Sequence, residues 1–224
     1  MTISITRLSK HAWFKIKTGG KVIHIDPGYS GNFDAQGVPL AEYQEPADLV
    51  LVTHSHKDHL QPEAFARIRR PDSIVMAPAH CAEEIGAGVT PVKPGDERTE
   101  LGWHIRVVNA YNTPEGHSTT KAHHAGKCVG YVIDLPGLRL YHPGDTDLIP
   151  DMQDLGTIDL ACLPIGGTYT MDAGEALQAV EVIKPRMVIG MHELKADPQE
   201  FKRAVEALGN VRAIVMAVGD TVDF

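Results

Sequence analysis

Residues 48–59 read DLVLVTHSHKDH, an apolar run from Asp48 to Thr53 that breaks off into His54, His56, Asp58 and His59. A short, uninterrupted apolar segment is what a strand buried on both faces requires. The histidines therefore stand at the carboxyl end of a strand. Single histidines in loops are common and mostly solvated or packed, but four donor side chains within six positions make a poor surface and a good cation trap. The alternation of His54 and His56 aims two imidazoles at one ion, and Asp58 and His59 turn toward a second. Borderline metals such as zinc accept this mixture of nitrogen and oxygen.

Upstream, Ile3, Ile5 and Trp13 to Lys17 alternate with polar residues, and Lys21 to Asp26 follows across Gly19-Gly20, a hairpin signal of period two. The stretch from Pro27 to Glu45 reads as loop. Downstream, Pro62 suits the first turn of a helix to about Arg70, because that position has no amide partner to lose. Strands are expected at Ile74 to Ala77, Val89 to Val92, Glu97 to Leu101 and Trp103 to Asn109, with a short helix at Ala79 to Ile85. A long polar loop precedes a second hairpin, Cys128 to Leu135 and Leu138 to His142, joined by Pro136-Gly137. Buried strands at Asp159 to Leu163, Arg186 to Ile189 and Arg212 to Met216 alternate with helices at Ala173 to Lys184 and Pro198 to Leu208. Strands followed by strands and helices, twice over, suggest two similar halves.

At 224 residues the chain fits one sizeable domain, residues 1–224, and 43% hydrophobic with 22% charged residues is ordinary globular usage. A net charge of -8 supplies no basic footprint for nucleic acid or anionic lipid. The expected partner is a small-molecule substrate. Cys81, Cys128 and Cys162 are odd in number and widely spaced, which fits reduced thiols. With no signal-peptide pattern and no apolar stretch near the roughly 20 residues of a membrane span, the expected location is cytoplasmic.

The motif His-x-His-x-Asp-His at 54–59 resembles, position for position, the signature of the metallo-beta-lactamase superfamily. Gly144-Asp145-Thr146 resembles that family's Gly-Asp motif, Val188 to His192 the motif carrying its last histidine, and Ile23 to Pro27 its early Asp-Pro element. Within the superfamily, the runs Ala110-Tyr111-Asn112, Val129-Gly130-Tyr131 and Pro164 to Gly167 are similar to the small branch that includes ascorbate-6-phosphate lactonase-like proteins. The resemblance implies an α/β fold, a four-layer αβ/βα sandwich of two mixed sheets face to face with helices outside. It also implies a metal-dependent hydrolase with two divalent ions, zinc ahead of manganese or iron. On this pattern His54, His56 and a third histidine hold one ion, Asp58, His59 and His192 the other, and Asp145 bridges. His117, His123 and His124 all compete for the third place; His123 is favoured because it lies between the Ala-Tyr-Asn run and the Val-Gly-Tyr strand.

The implied chemistry is attack by metal-activated water on an ester-like bond, a phosphodiester or phosphorylated lactone being favoured. Asp58 is expected as a ligand that also accepts a proton, and His142 as a substrate contact or proton donor. Asp26 is placed either behind a ligand histidine or in a turn cap. Alternatives are a thioester hydrolase of glyoxalase II type and a non-catalytic metal sensor or scaffold.

Overall fold

The computed structural model describes residues 2–29 and 38–224. They form two compact units, Met1–Val92 with Met216–Phe224, and Lys93–Val215. Part of the loop expected at 27–45 lies outside the described residues.

The first unit is a seven-stranded sheet. Its strands are β1 (Ser4–Arg7), β2 (Phe14–Thr18), β3 (Lys21–Ile25), β4 (Leu49–Leu51), β5 (Ile74–Pro78), β6 (Thr90–Val92) and β14 (Thr221–Asp223), in the order β14-β1-β2-β3-β4-β5-β6. Strands β14, β1, β2 and β3 pair antiparallel, and β3 to β6 pair parallel. Gly19 and Gly20 take φ of +57° and +73°, the double left-handed geometry that closes a two-residue hairpin and registers Thr18 opposite Lys21. Parallel neighbours need crossovers, supplied after β4 by α2 (Pro62–Ile68) and before β4 by α1 (Leu40–Gln44). The helix α1 replaces part of the expected loop. Tyr43 anchors it, fully buried with its hydroxyl donating to Leu8 O at 2.8 Å. The expected helix at Ala79 to Ile85 is a 3-10 turn (Ala79–Cys81) running into the short α3 (Ala82–Ile85). Val50, Val52, Phe65, Ile68 and Val75 pack with Trp13 and Tyr43 in one cluster, and Leu49 and Leu51 on the opposite face of β4 are fully buried as well, so the strand is apolar on both faces.

The second unit repeats the plan. Strands β7 (Glu97–Glu100), β8 (Trp103–Ala110), β9 (Cys128–Leu135) and β10 (Leu138–His142) pair antiparallel. Strands β11 (Leu160–Pro164), β12 (Met187–Met191) and β13 (Arg212–Ile214) continue from β10 in parallel, giving the order β13-β12-β11-β10-β9-β8-β7. Helix α4 (Ala173–Ile183) is capped by Asp172, which accepts the Glu175 N–H at 2.8 Å, and α5 (Pro198–Ala207) by Asp197, which accepts the Gln199 N–H. Their buried faces, Ala176, Ala179, Val180 and Ile183 on one and Phe201 and Val205 on the other, join a cluster with Leu163, Ile165 and Val188. Each large apolar side chain so buried contributes about 1.5–3 kcal/mol. The expected α/β class, two mixed sheets with helices, holds. No helix among the described residues is long and apolar enough to cross a membrane.

Candidate metal centre

In the first unit the parallel pairing of β3 with β4 sets Ile25 opposite Leu51, so both strands end together. Asp26 follows one and Thr53 the other. The Asp26 carboxylate is fully buried, with φ of +50°, a backbone geometry that non-glycine residues adopt at a cost and that clusters at functional sites. Its Oδ1 accepts the Thr53 N–H and its Oδ2 the Thr53 hydroxyl, both at 2.7 Å. His59 Nδ1 bonds the same Oδ2 at 2.7 Å. This carboxylate fixes the imidazole from behind, so the turn-cap reading of Asp26 is incomplete. It also leaves His59 Nε2 pointing the other way, 4.0 Å from Asp58 Oδ2.

The Thr53 hydroxyl has one proton, and Asp26 takes it. Toward His54 Nδ1, 3.0 Å away, Thr53 Oγ1 therefore accepts, which puts the His54 proton on Nδ1 and its lone pair on Nε2. A tight turn, with His59 N–H and Leu60 N–H both donating to His56 O, folds the run back on itself. The His54 ring lies 4.0 Å from that of His59 and 4.7 Å from that of His56, centroid to centroid. His11 Nε2 stands 3.9 Å from Asp58 Oδ2.

In the second unit three separate segments supply the donors. Asp145 follows β10, His192 follows β12 with φ of +50°, and His123 sits in the connection between β8 and β9. All three are at most 2% exposed. Asp145 Oδ2 lies 3.4 Å from His123 Nε2 and 3.4 Å from His192 Nε2. Two ligands held tetrahedrally at 2.0–2.1 Å from one ion are themselves about 3.4 Å apart. The nitrogen and carboxylate donors of both units thus suit a divalent metal in chemistry, and those of the second unit also in spacing.

Of the three competing histidines, His123 reaches Asp145. His117 is 44% exposed and its Nδ1 bonds Asp172 Oδ1 at 2.9 Å, a bond that raises its pKa above the ordinary histidine value. His124 is exposed. His142 is fully buried, its Nδ1 accepting the Gly144 N–H at 3.3 Å. His24 belongs to the core: Trp13 Nε1 donates to its Nδ1 at 3.0 Å, its Nε2 bonds Glu45 O, and burial lowers its pKa to about 3.

Asn112 closes the Ala110-Tyr111-Asn112 run, but nothing in the sequence gives it, Asp147 or Tyr169 a place behind His123. Asn112 Oδ1 accepts the His123 N–H at 2.8 Å and lies 3.2 Å from its Nδ1, and Tyr169 O also lies 3.2 Å from that Nδ1. The Asn112 amide donates in turn to Tyr169 O and to Asp147 Oδ1. Asp147, buried without exposure, collects Thr113 N–H, Ser118 Oγ and Lys121 Nζ on Oδ2 at 2.9, 2.8 and 3.1 Å. One buried carboxylate thereby staples the whole connection. The Gly144-Asp145-Thr146-Asp147 spacing was the available signal, a second acid two residues past the first.

Residues 5–192 match the family model described as the beta-lactamase superfamily domain. A UPF0173 metal-dependent hydrolase of Thermococcus onnurineus is 40% identical over 212 residues, spanning 89% of this chain and 91% of its own. A second, from Caldivirga maquilingensis, is 36% identical over 228 residues with 95% of each chain covered. The solved structure of Igni18, a metallo hydrolase of the archaeon Ignicoccus hospitalis, matches with a TM-score of 0.81 and 30% identity, covering all of this chain and 99% of that one.

Proposed function

Because the chain belongs to the metallo-beta-lactamase superfamily and is a metal-dependent hydrolase with histidine and aspartate clusters able to hold metal, we propose that its two units are halves of one domain serving a single binuclear zinc centre. His54, His56 and His123 would hold one ion and Asp58, His59 and His192 the other, with the Asp145 carboxylate available to both. The observation that carries this reading is the equal 3.4 Å approach of His123 Nε2 and His192 Nε2 to one oxygen, Asp145 Oδ2. A carboxylate oxygen shared in this way is positioned to bridge. The family model spans both units, which supports treating them as one domain.

When bound, divalent ions lower the pKa of water toward neutrality and polarise a substrate oxygen. The chain's own part is to orient. Asp26 and Thr53 lock the imidazoles of His59 and His54 with Nε2 forward. Asp58, partly exposed beside His11, is the ligand placed to accept a proton from attacking water. His142, as enclosed as the ligands and three residues before Asp145, has its Nδ1 engaged by the Gly144 N–H and is the proposed substrate contact or proton donor. The substrate is a small ester-like molecule, a phosphodiester or phosphorylated lactone, and the net charge of -8 disfavours nucleic acid. No disulfide is formed by the three cysteines, which fits a cytoplasmic setting.

Metal analysis of the purified protein, with a panel of a phosphodiester, a phosphorylated lactone and a thioester, tests the reading. Two equivalents of zinc and turnover of the diester or lactone are expected. Asp145→Asn should lower affinity at both sites by more than the roughly 100-fold that marks the upper range for residues behind a ligand, abolish turnover, and leave the unfolding midpoint of the metal-free protein little changed. One equivalent of metal, or Asp145→Asn with normal metal content, sinks the bridging role. Turnover of the thioester alone transfers the assignment to that class.

A further inference from the structure

The connection between β8 and β9 must deliver one imidazole, His123, from a segment with no regular structure of its own. An imidazole coordinates through a nitrogen that lacks a proton, and a neutral ring in solution distributes its proton over both nitrogens. A ligand histidine therefore works best when something in the protein holds the proton on the far nitrogen. For His59 that group is the Asp26 carboxylate, and for His54 it is the Thr53 hydroxyl. Behind His123 stand an amide oxygen, Asn112 Oδ1, and a carbonyl, Tyr169 O.

We infer that Asn112 is a positioning residue that holds His123 in the Nδ1–H tautomer, and that Asp147 acts through Asn112 by fixing which end of its amide faces the ring. The argument is one of donors and acceptors. Asp147 Oδ1, at 3.2 Å, and Tyr169 O, at 2.9 Å, are acceptors only, so both must face the amide nitrogen of Asn112. The amide oxygen is thereby turned toward His123, where it takes the backbone N–H at 2.8 Å and stands 3.2 Å from Nδ1. An oxygen there, seconded by Tyr169 O at 3.2 Å, can only accept. The ring proton belongs on Nδ1, and Nε2 faces Asp145 Oδ2. The Asn112 amide, together with the Tyr169 carbonyl that it also binds, thus decides which nitrogen of the ligand is open to metal.

This inference rests on His123 being a ligand, and the two are separable by experiment. Metal-free protein is titrated with zinc against a chromophoric chelator, and the protonated nitrogen of His123 is read by long-range proton–nitrogen NMR in the metal-free state. His123→Ala should lose one of two zinc equivalents; retention of both overturns the ligand reading itself. Asn112→Ala should weaken one equivalent about 10- to 100-fold and leave the other near wild type, with signal from both tautomers at His123. If Asn112→Ala binds zinc as wild type does while His123→Ala loses an equivalent, the role of Asn112 is overturned alone. Should Asn112→Ala fail to fold, wild-type protein decides: a protonated Nε2 on His123 overturns the inference, and a protonated Nδ1 supports it.

Discussion

In the first unit, three histidines and an aspartate arrive on the six-residue run His54 to His59 and are steadied by one carboxylate, Asp26, reaching over from the neighbouring strand. In the second, His123, Asp145 and His192 come from three segments far apart in the chain, and a neutral amide, Asn112, stands behind the loop histidine. The sheets share one plan, antiparallel strands followed by parallel ones, yet the ligands are held by opposite strategies. A compact run needs its side chains turned, and strand ends already fix its backbone. A ligand on a long connection needs the backbone itself pinned, which is why Asp147 binds four donors before Asn112 touches the ring.

The first way to break the comparison is Asp26→Ala. It strands the Thr53 N–H, the Thr53 hydroxyl and His59 Nδ1 at a site without solvent exposure. Removing one member of a buried, hydrogen-bonded polar cluster costs on the order of 3–5 kcal/mol, and a lost partner behind a metal ligand costs about 10- to 100-fold in affinity. Urea unfolding of the metal-free variant and zinc competition measure the two separately. A stability loss below about 1 kcal/mol with unchanged zinc affinity means that Asp26 is dispensable and that the two units do not differ in this way.

A smaller effect sharpens the same contrast. A Cβ at Gly28 would stand 2.4 Å from His59 N and 2.5 Å from Asp58 C, which are backbone atoms in the ligand run. A Cβ at Gly116 would stand 2.1 Å from Asp147 Oδ2, the end of a side chain. Backbone cannot rotate away, whereas a carboxylate can at the expense of its bonds. Gly28→Ala is expected at or above the roughly 3 kcal/mol upper range for overpacking and Gly116→Ala nearer 1–2 kcal/mol, read from urea midpoints. Zinc binding discriminates further, since Gly116→Ala should loosen only the ion that His123 holds. The reverse order of stability losses would show that the side-chain staple, and not the strand end, is the stiffer support.

The same difference explains what the sequence discloses. A contiguous run at the end of an apolar strand is legible because spacing and burial both read along the chain, and β4, β10, β11 and β12 are recognisable in the same way. Helix Leu40–Gln44 is not, because five residues carry no period and its reason to exist is a tyrosine buried against Leu8. Strand Thr221–Asp223 is a three-residue edge that pairs with β1 from the opposite end of the chain. At the site, His117, His123 and His124 are equivalent on paper, and the fold separates them by burial and by the approach of Asp145. Asn112 and Asp147 look like ordinary loop polarity, because tertiary hydrogen bonds leave no periodic trace.

A last contrast, invisible at neutral pH, concerns two histidines that are not proposed as ligands and that titrate in opposite senses. His24, in the first unit, is neutral when folded because burial holds its pKa at about 3, against 6.5 for the exposed group. As pH falls below 6.5 the unfolded chain takes up a proton that the folded chain refuses, so stability drops between pH 6.5 and 3, by at most about 1.4 kcal/mol per pH unit. His117, in the second unit, has its pKa raised by its bond to Asp172. Its contribution is complete below pH 6.5 and is lost as pH rises through the elevated value. Because the His117 side chain is 44% exposed, solvent screens the pair and the contribution is small. Unfolding midpoints of metal-free protein between pH 4.5 and 8 should show His24→Asn flattening the acid limb relative to wild type. His117→Asn should lower the midpoint slightly at and below neutral pH, with the difference from wild type vanishing as pH rises through the elevated value. An acid limb unchanged by His24→Asn would mean that the buried ring accepts a proton in place, contrary to its two hydrogen bonds with Trp13 and Glu45.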